Sequence, residues 1–282
     1  MSNNNNYQFP DTCICGNSEF TTCFIYDRPP EVETKFFPQG IDYHRETKSC
    51  SICHHFISVT EMDIDKIYEG EYVDKKYRDF EGLKNTLSKI SQLPPEKSDN
   101  AGRVERVNKF INSYAYKKKQ DITVLDVGSG LCVFLNKLKE FGYTCTALDP
   151  DQRTAELAQK VVGINAICAD FTTYDNIGTY DLITFNKVLE HVKDPISMLR
   201  KALSYLAQNG IVYMELPDGE MAQHDGKGRQ EFAIDHHHVF SSASINYLAI
   251  RSGYEMILTG RLRDPSGKYT IWSFIRPSGN TT

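Results

Sequence analysis

The stretch Val124-Leu125-Asp126-Val127-Gly128-Ser129-Gly130 ends an apolar run in a glycine turn, and Leu131–Phe141 follows with apolar residues at helical spacing. Glycines at such a turn let the backbone approach a ligand, and the first turn of the next helix offers free N–H groups. The same texture repeats outward. Apolar runs predict strands at Thr123–Val127, Thr144–Leu148, Ala166–Cys168, Leu182–Phe185 and Ile211–Glu215. Helical patterns separate them at Leu131–Phe141, Thr154–Val161 and Pro195–Leu206. Alternation with crossovers of this length predicts an α/β fold, a parallel sheet covered by helices on both faces. A helix over Ser242–Ser252 and candidate strands at Tyr254–Leu258 and Tyr269–Phe274 then give a hairpin-like close to the sheet.

Upstream the composition changes. Residues 1–60 are rich in Cys, His and Pro, with short β-like runs such as Phe56–Val59. Residues 61–103 are charged and Tyr-rich and pass through Pro94-Pro95 into Ser98-Asp99-Asn100-Ala101-Gly102, which reads as a linker. A helical pattern starts near Arg103, with Val104, Val107, Phe110, Ile111 and Tyr114 at three- and four-residue spacing. Three parts are therefore expected: a cysteine-rich module over 1–60, a helical or linker segment over 61–103, and an α/β domain over 104–282. A chain of 282 residues accommodates one large domain with a small appendage.

The function classes narrow on charge and composition. At 40% hydrophobic residues the chain can offset its ordering entropy, which excludes disorder throughout. No run approaches the roughly 18 apolar residues of a membrane span. The polar, Asn-rich start at Met1–Pro10 does not read as a secretory signal, so a cytoplasmic location is expected. A net charge of −5 argues against a nucleic-acid partner, because phosphate contacts want a basic face; the run Lys117-Lys118-Lys119 is short and reads as a solvated helix end.

Five of the eight cysteines fall before residue 54. Cys50-Ser51-Ile52-Cys53 puts two sulfurs on one tight turn, the half-site of a zinc knuckle, and Cys13-Ile14-Cys15-Gly16 offers a second, closer pair. The four are the expected ligands of one structural Zn2+, with Cys23, His54 and His55 as possible replacements and free thiols as the alternative. Cys132, Cys145 and Cys168 sit in apolar elements and are read as core.

Gly-x-Gly alone is weak evidence, and the third glycine of the dinucleotide pattern is Val133 here. Asp149, about 20 residues on at the end of the next strand, suits ribose hydroxyls of either a dinucleotide or an adenosyl ligand. Asp126 separates the two: a carboxylate facing the cleft favours a ligand with a cationic amino group and repels a pyrophosphate. Asp170-Phe171 after the third strand offers an acceptor and an aromatic face for adenine. Phe185-Asn186-Lys187-Val188-Leu189-Glu190-His191-Val192 follows the fourth strand, with Asp194-Pro195 behind it and Asn209-Gly210 before the fifth.

In this order the motifs over residues 104–276 resemble those of class I S-adenosylmethionine-dependent methyltransferases. The resemblance implies a Rossmann-like, seven-stranded sheet, with the donor held by Asp126, Gly128, Ser129, Gly130, Asp149, Pro150, Asp170, Phe171, Asn186 and Lys187. A cysteine-pair module ahead of such a fold further resembles the methyltransferases of nucleotide-linked sugars, particularly the C-methyltransferases of deoxysugar pathways. Those carry an acid–His pair before an aromatic-Ser at a helix start; aligning on Phe240-Ser241 places Asp235-His236 on it, with Asp in place of Glu and two further histidines.

A sugar hydroxyl is too weak an acid to ionise at neutral pH, so a base must assist. Asp235-His236-His237-His238 supplies the candidates: His236 first, His238 second, Asp235 to orient the imidazole, and His191 as a further possibility. In an extended segment His236 and His238 would share a side. A structural loop, or a metal site completed by Asp235 or His224, are the other readings of this segment. Tyr68, Tyr72 and Tyr77 could line the pocket or pack the two modules together. The expected activity is methyl transfer to a sugar or nucleotide-sugar, by O- or C-methylation. The alternatives are a methyltransferase for another small metabolite, one for tRNA or protein, and a non-catalytic adenosylmethionine-binding module.

Overall fold

The computed structural model describes residues 12–31, 33, 42–62, 79–114 and 117–279. In the amino-terminal part, β1 (Phe20–Tyr26), β2 (Arg45–Cys50) and β3 (Phe56–Val59) form an antiparallel sheet. α1 (Phe80–Ser91) and α2 (Asp99–Tyr114) come next. The stretch Ser98–Gly102, expected as a linker, instead starts α2: the Ser98 hydroxyl accepts from the Ala101 N–H at 3.2 Å and caps the helix. Tyr68, Tyr72 and Tyr77 lie outside the described residues.

The larger sheet is built around β4 (Thr123–Val127), which pairs in parallel with β5 (Thr144–Asp149) and with β7 (Tyr180–Asn186). β6 (Asn165–Cys168) continues the sheet beyond β5, and β8 (Leu206–Pro217) continues it beyond β7. The close is a long hairpin of β10 (Tyr254–Arg263) and β11 (Tyr269–Pro277), antiparallel to each other and to β8. The seven strands run in the order β10-β11-β8-β7-β4-β5-β6. The order reverses at β4, and the crevice at the carboxyl ends of such strands is where an open α/β sheet binds ligands.

Crossover helices cover both faces. α3 (Val133–Glu140) packs with α1 and α2 on one side, where Leu83, Val104, Val107, Ile111 and Leu135 close the core. α5 (Pro195–Ala202) packs against α7 (Ser242–Arg251) on the other, over Phe185, Leu199, Phe240 and Leu248. The expected helix Thr154–Val161 is α4 (Gln152–Leu157) followed by a wider turn at Ala158–Val162. α6 (Gly219–Ala222) is a single turn after β8.

The two parts share structure. β9 (His238–Val239), from the carboxyl-terminal half, adds to β3 as the fourth strand of the small sheet, with Phe56 opposite Val239 and Ile57 opposite His238. Gly219 is small for the same reason: a β-carbon there would come within 2.5 Å of the Phe56 ring. Among the described residues, no helix is long and apolar enough to cross a membrane.

Candidate active site

The glycine turn is held by its neighbours. Gly128 and Ser129 donate their N–H groups to the Leu148 carbonyl at 2.8 and 3.2 Å, and Gly130 donates to Asp149 Oδ2 at 2.8 Å. Gly128 has φ +68°, and a β-carbon would meet Val188 at 2.7 Å, so both conformation and space demand glycine. Val133, where a third glycine was missing, simply opens α3. Asp126 lies opposite Thr184 in the β4–β7 register, and its Oδ1 accepts from Thr184 Oγ1 at 2.6 Å and from Asn186 Nδ2 at 2.8 Å. Burial pushes the Asp126 carboxyl up to about 6 against these bonds.

A cavity of about 460 Å3 opens beside this turn, a size suited to a small-molecule ligand. Asp126, Gly128, Ser129 and Asn186 line it, with Asn100 and Arg103 of α2 and Ser266 and Lys268 of the β10–β11 turn. Six buried side-chain oxygens among the described residues lack a hydrogen-bond partner, and three of them, Asn100 Oδ1, Ser129 Oγ and Asn186 Oδ1, belong to residues lining this cavity. Buried polar atoms are normally paired, so this concentration marks a surface made for a polar ligand. Gly130 and Asp149, bonded to each other, are not among the residues lining it.

Four further expected donor residues are not among those lining this cavity, and each has other contacts. Asp170 accepts from the N–H and hydroxyl of Thr172, both at 2.7 Å, and Phe171 is buried edge-on against Phe185 and Tyr205. The Pro150 carbonyl faces the Cys168 thiol. Lys187, at φ +59°, sends its amine to Thr270 Oγ1 at 2.8 Å.

Arg103, Arg106 and Glu215 were not foreseen. Glu215 is buried at the end of β8; its Oε2 receives Arg103 and its Oε1 receives Arg106 and Tyr213, at 2.5–2.7 Å. Burial pushes the Glu215 carboxyl up, but Arg103 and the neighbouring cations outweigh it and bring it down to about 2. Two signals were available: a carboxylate ending an apolar strand needs a partner, and arginines three apart share a helix face.

The histidine segment divides in two. The chain turns at Ile234-Asp235, where the His236 N–H donates to the Ala233 carbonyl, and the His236 and His238 rings take different partners. His236 Nδ1 donates to the Glu231 carbonyl at 2.7 Å, and its ring lies edge-on to His191 with centroids 4.8 Å apart. Burial holds the His236 imidazole below its ordinary range, though Asp235 opposes this. Asp235 faces His191 rather than His236: its carbonyl accepts from His191 Nδ1 at 2.9 Å and its Oδ2 lies 3.6 Å away. Gly128's neighbour Val188 and Glu190 belong to the segment that leaves β7 after Asn186.

His238, the second candidate base, has both ring nitrogens engaged. Nε2 donates to the Lys193 carbonyl at 3.3 Å, and Nδ1 accepts from His55 Nε2 at 3.0 Å. His55 Nδ1 in turn faces the Ser244 hydroxyl at 3.2 Å. Burial pushes the His238 imidazole down to about 4 and lowers His55 as well, so both are neutral at pH 7. This pair joins the cysteine module to the segment. A second junction is fully buried: Arg45 Nη1 donates to the Phe232 carbonyl at 2.7 Å and Nη2 meets Glu33 at 3.3 Å, while Glu33 Oε1 accepts the Ile234 N–H at 2.9 Å.

The sulfurs of Cys13, Cys15, Cys50 and Cys53 all lie within 4.8 Å of one another, with 3.4 Å between Cys13 and Cys53 and 3.6 Å between Cys15 and Cys50. Four thiolates on one tetrahedral zinc are about 3.8 Å apart, so the donor set and spacing fit that ion. Cys23 is exposed and His55 is turned to His238, leaving both outside the cluster.

A family model described as a methyltransferase domain matches residues 100–259. The ubiquinone biosynthesis O-methyltransferase of Vibrio parahaemolyticus serotype O3:K6 is 29% identical over 160 residues, covering 54% of this chain and 62% of that protein. Its counterpart in Colwellia psychrerythraea is 26% identical over 158 residues, covering 53% and 62%. The chain thus matches less than two thirds of the length of these relatives. Among solved structures, the 1,6-didemethyltoxoflavin-N1-methyltransferase of Burkholderia thailandensis aligns with a TM-score of 0.56 at 14% identity, over 86% of this chain and 99% of that one. The magnesium protoporphyrin IX methyltransferase of Synechocystis PCC 6803 aligns at 0.58 and 15%, over 76% and 100%. The sheet order is that of the class I methyltransferase fold, and with the family match over more than half its length the chain belongs to the methyltransferase-domain family.

Proposed function

We propose that the protein transfers the methyl group of S-adenosylmethionine to a hydroxyl of a small organic molecule. The observation that carries this reading is the cluster of orphaned polar atoms, Asn100 Oδ1, Ser129 Oγ and Asn186 Oδ1, around a cavity that also presents Asp126. An amino acid end with an ammonium group suits that wall. Asp126 Oδ1 is taken by Thr184 and Asn186, which leaves Oδ2 to accept from the ammonium, while Arg103 offers a guanidinium for the carboxylate. Asp149, fixed by Gly130 and Asp151, holds the ribose hydroxyls. The donor supplies an electrophilic methyl on a sulfonium, and the chain's own work is placement and proton removal.

Proton removal belongs to the segment after β7 and the turn before β9. There His191 and His236 each bind a backbone carbonyl through Nδ1, so each ring has Nε2 unprotonated when neutral. His236 is the first choice and His191, oriented by Asp235, the second. Oxygen as acceptor atom is supported by relatives described as O-methyltransferases. A small organic acceptor is the level the comparisons support; the sugar or nucleotide-sugar reading rests on the cysteine module ahead of the fold and remains the second reading. We assign a structural Zn2+ to Cys13, Cys15, Cys50 and Cys53 on their donor type and spacing. The experiment is mass spectrometry of the protein incubated with S-adenosylmethionine and a panel of phenols, catechols, sugars and nucleotide-sugars. A methylated product from the phenols or catechols supports the main reading, one from sugars alone moves the acceptor to the second, and donor binding with no product from any hydroxyl contradicts both.

A further inference from the structure

We infer that Glu190, His191 and His236 form a binding site for a divalent cation, distinct from the cysteine cluster. One donor atom from each lies within 4.8 Å of the other two. Donors on a shared ion, each about 2.1 Å from it, stand roughly 3–3.5 Å apart, so small side-chain rotations close the site. Three features make it more than a coincidence of polar residues.

The first is Glu190. Only 1% of this residue is exposed, yet its Oε2 has no hydrogen-bond partner. A buried carboxylate oxygen without a partner is costly and calls for a cation or donor. Lys187, the nearby ammonium, is hydrogen-bonded to Thr270 instead.

The second is how the histidines are held. His191 Nδ1 and His236 Nδ1 donate to the carbonyls of Asp235 and Glu231 at 2.9 and 2.7 Å. That fixes one tautomer in each ring and leaves the Nε2 lone pair for a ligand, the outer-shell pattern of metal-bound histidine. The His238 N–H donates to the Glu190 carbonyl at 3.3 Å, so the two segments that supply ligands are also joined through the backbone.

The third is openness. Glu190 and His236 are sheltered, but the His191 side chain is 39% exposed. Two imidazoles and one carboxylate leave coordination positions for water or an acceptor oxygen, and this mixed set suits Mn2+, Fe2+, Co2+ or Zn2+ rather than Ca2+. Glu190 follows Asn186 by four residues, and Asn186 lines the donor cavity, so the ion would sit on the acceptor side of the same sheet edge.

The ion's part in the chemistry rests on the methyl-transfer reading above; its binding does not. An acceptor hydroxyl on the ion loses its proton to solvent, and the resulting oxygen forms a bond to the methyl carbon. The bond from sulfur to that carbon breaks with its electron pair left on sulfur, converting the sulfonium to a neutral thioether. With the ion bound, His191 and His236 serve as its ligands and the ion supplies the ionisation; without it, His236 keeps the role of base proposed above.

The test is a titration of the full chain with Mn2+, a cation that the soft cysteine cluster disfavours, followed by loss of the free-ion electron paramagnetic resonance signal. Saturable binding of one Mn2+ is expected, weakened more than about tenfold in Glu190→Gln and in His236→Ala, since losing an outer-shell partner alone reaches that size. Calorimetry of S-adenosylmethionine on the same samples checks that each variant is folded. Wild-type protein that leaves Mn2+ free, or variants that bind it as wild type does, overturn the site. Intact Mn2+ binding in a protein that binds no S-adenosylmethionine supports the site and overturns the methyl-transfer reading alone.

Discussion

Asp126, Gly128 and Asn186 reach the donor cavity from the ends of adjacent parallel strands, whereas His236 and His238 sit on a segment gripped from outside by the cysteine module. The first region is fixed by short-range geometry: β4 and β7 set Asp126 opposite Thr184, and the turn closes on Leu148 and Asp149. The second is fixed by residues some 180–200 positions away in sequence, through Arg45 to Phe232, Glu33 to Ile234, His55 to His238 and the β3–β9 pairing. The difference teaches that the module braces the segment carrying His236 and His238, the proposed acceptor side. Damage to it should reach catalysis and stability while leaving donor binding in place.

The largest effect expected follows from breaking that brace. Arg45→Met leaves Glu33 buried without its cation and should lower unfolding stability by about 3–5 kcal/mol in urea denaturation. At a temperature where the variant is still folded, its S-adenosylmethionine affinity should match wild type. A variant as stable as wild type would show that the junction contributes nothing.

Next comes the acceptor side itself. His236→Asn keeps a polar side chain but removes the imidazole, so kcat on an identified acceptor should fall by roughly 10²-fold or more with donor Kd unchanged. A parallel loss of donor affinity would erase the distinction between the two regions.

On the donor side, Asp149→Ala removes charge-assisted bonds to ribose and should weaken S-adenosylmethionine by roughly 2 kcal/mol, read by calorimetry. Unchanged affinity would place the ribose elsewhere.

The smallest effect is a pH dependence. Burial raises the Asp126 carboxyl to about 6, so in the free protein it is largely protonated at pH 5 and ionised at pH 7. An ammonium requires the ionised form. Donor affinity should therefore rise about tenfold from pH 5 to pH 7 and level off above, and Asp126→Asn should flatten the profile at lower affinity. For stability of the free protein the sign is opposite: a raised carboxyl favours the fold below about pH 4 and loses that contribution as pH rises through 6.

These regions were unequally legible in the sequence. β4 begins and ends where the apolar run does, and Asp126, Gly128 and Ser129 follow from its position because a strand and its turn are local objects. Local reasoning failed where a side chain competed with propensity: Ser98–Gly102 has the composition of a linker, but the Ser98 hydroxyl caps a helix. It did not reach the partners of His236 and His238, which bond Glu231, His55 and Lys193 from other parts of the chain. Asp170 and Phe171 keep their place after β6, where Asp170 Oδ1 accepts from Thr172 and Phe171 packs in the core. The Arg103–Glu215 pair and the unpartnered Glu190 Oε2 depend on which elements meet in space, which no run of residues records.

The central claim is that the glycine turn and its cavity hold an adenosyl amino acid. Its most direct test is calorimetric titration of the protein with S-adenosylhomocysteine at pH 7.5, with NAD as the comparison ligand. One molecule bound per chain, no heat from NAD and a marked loss of affinity in Asp126→Asn are the predicted results. Binding of NAD in its place, or no binding of S-adenosylhomocysteine by folded protein, would contradict the account.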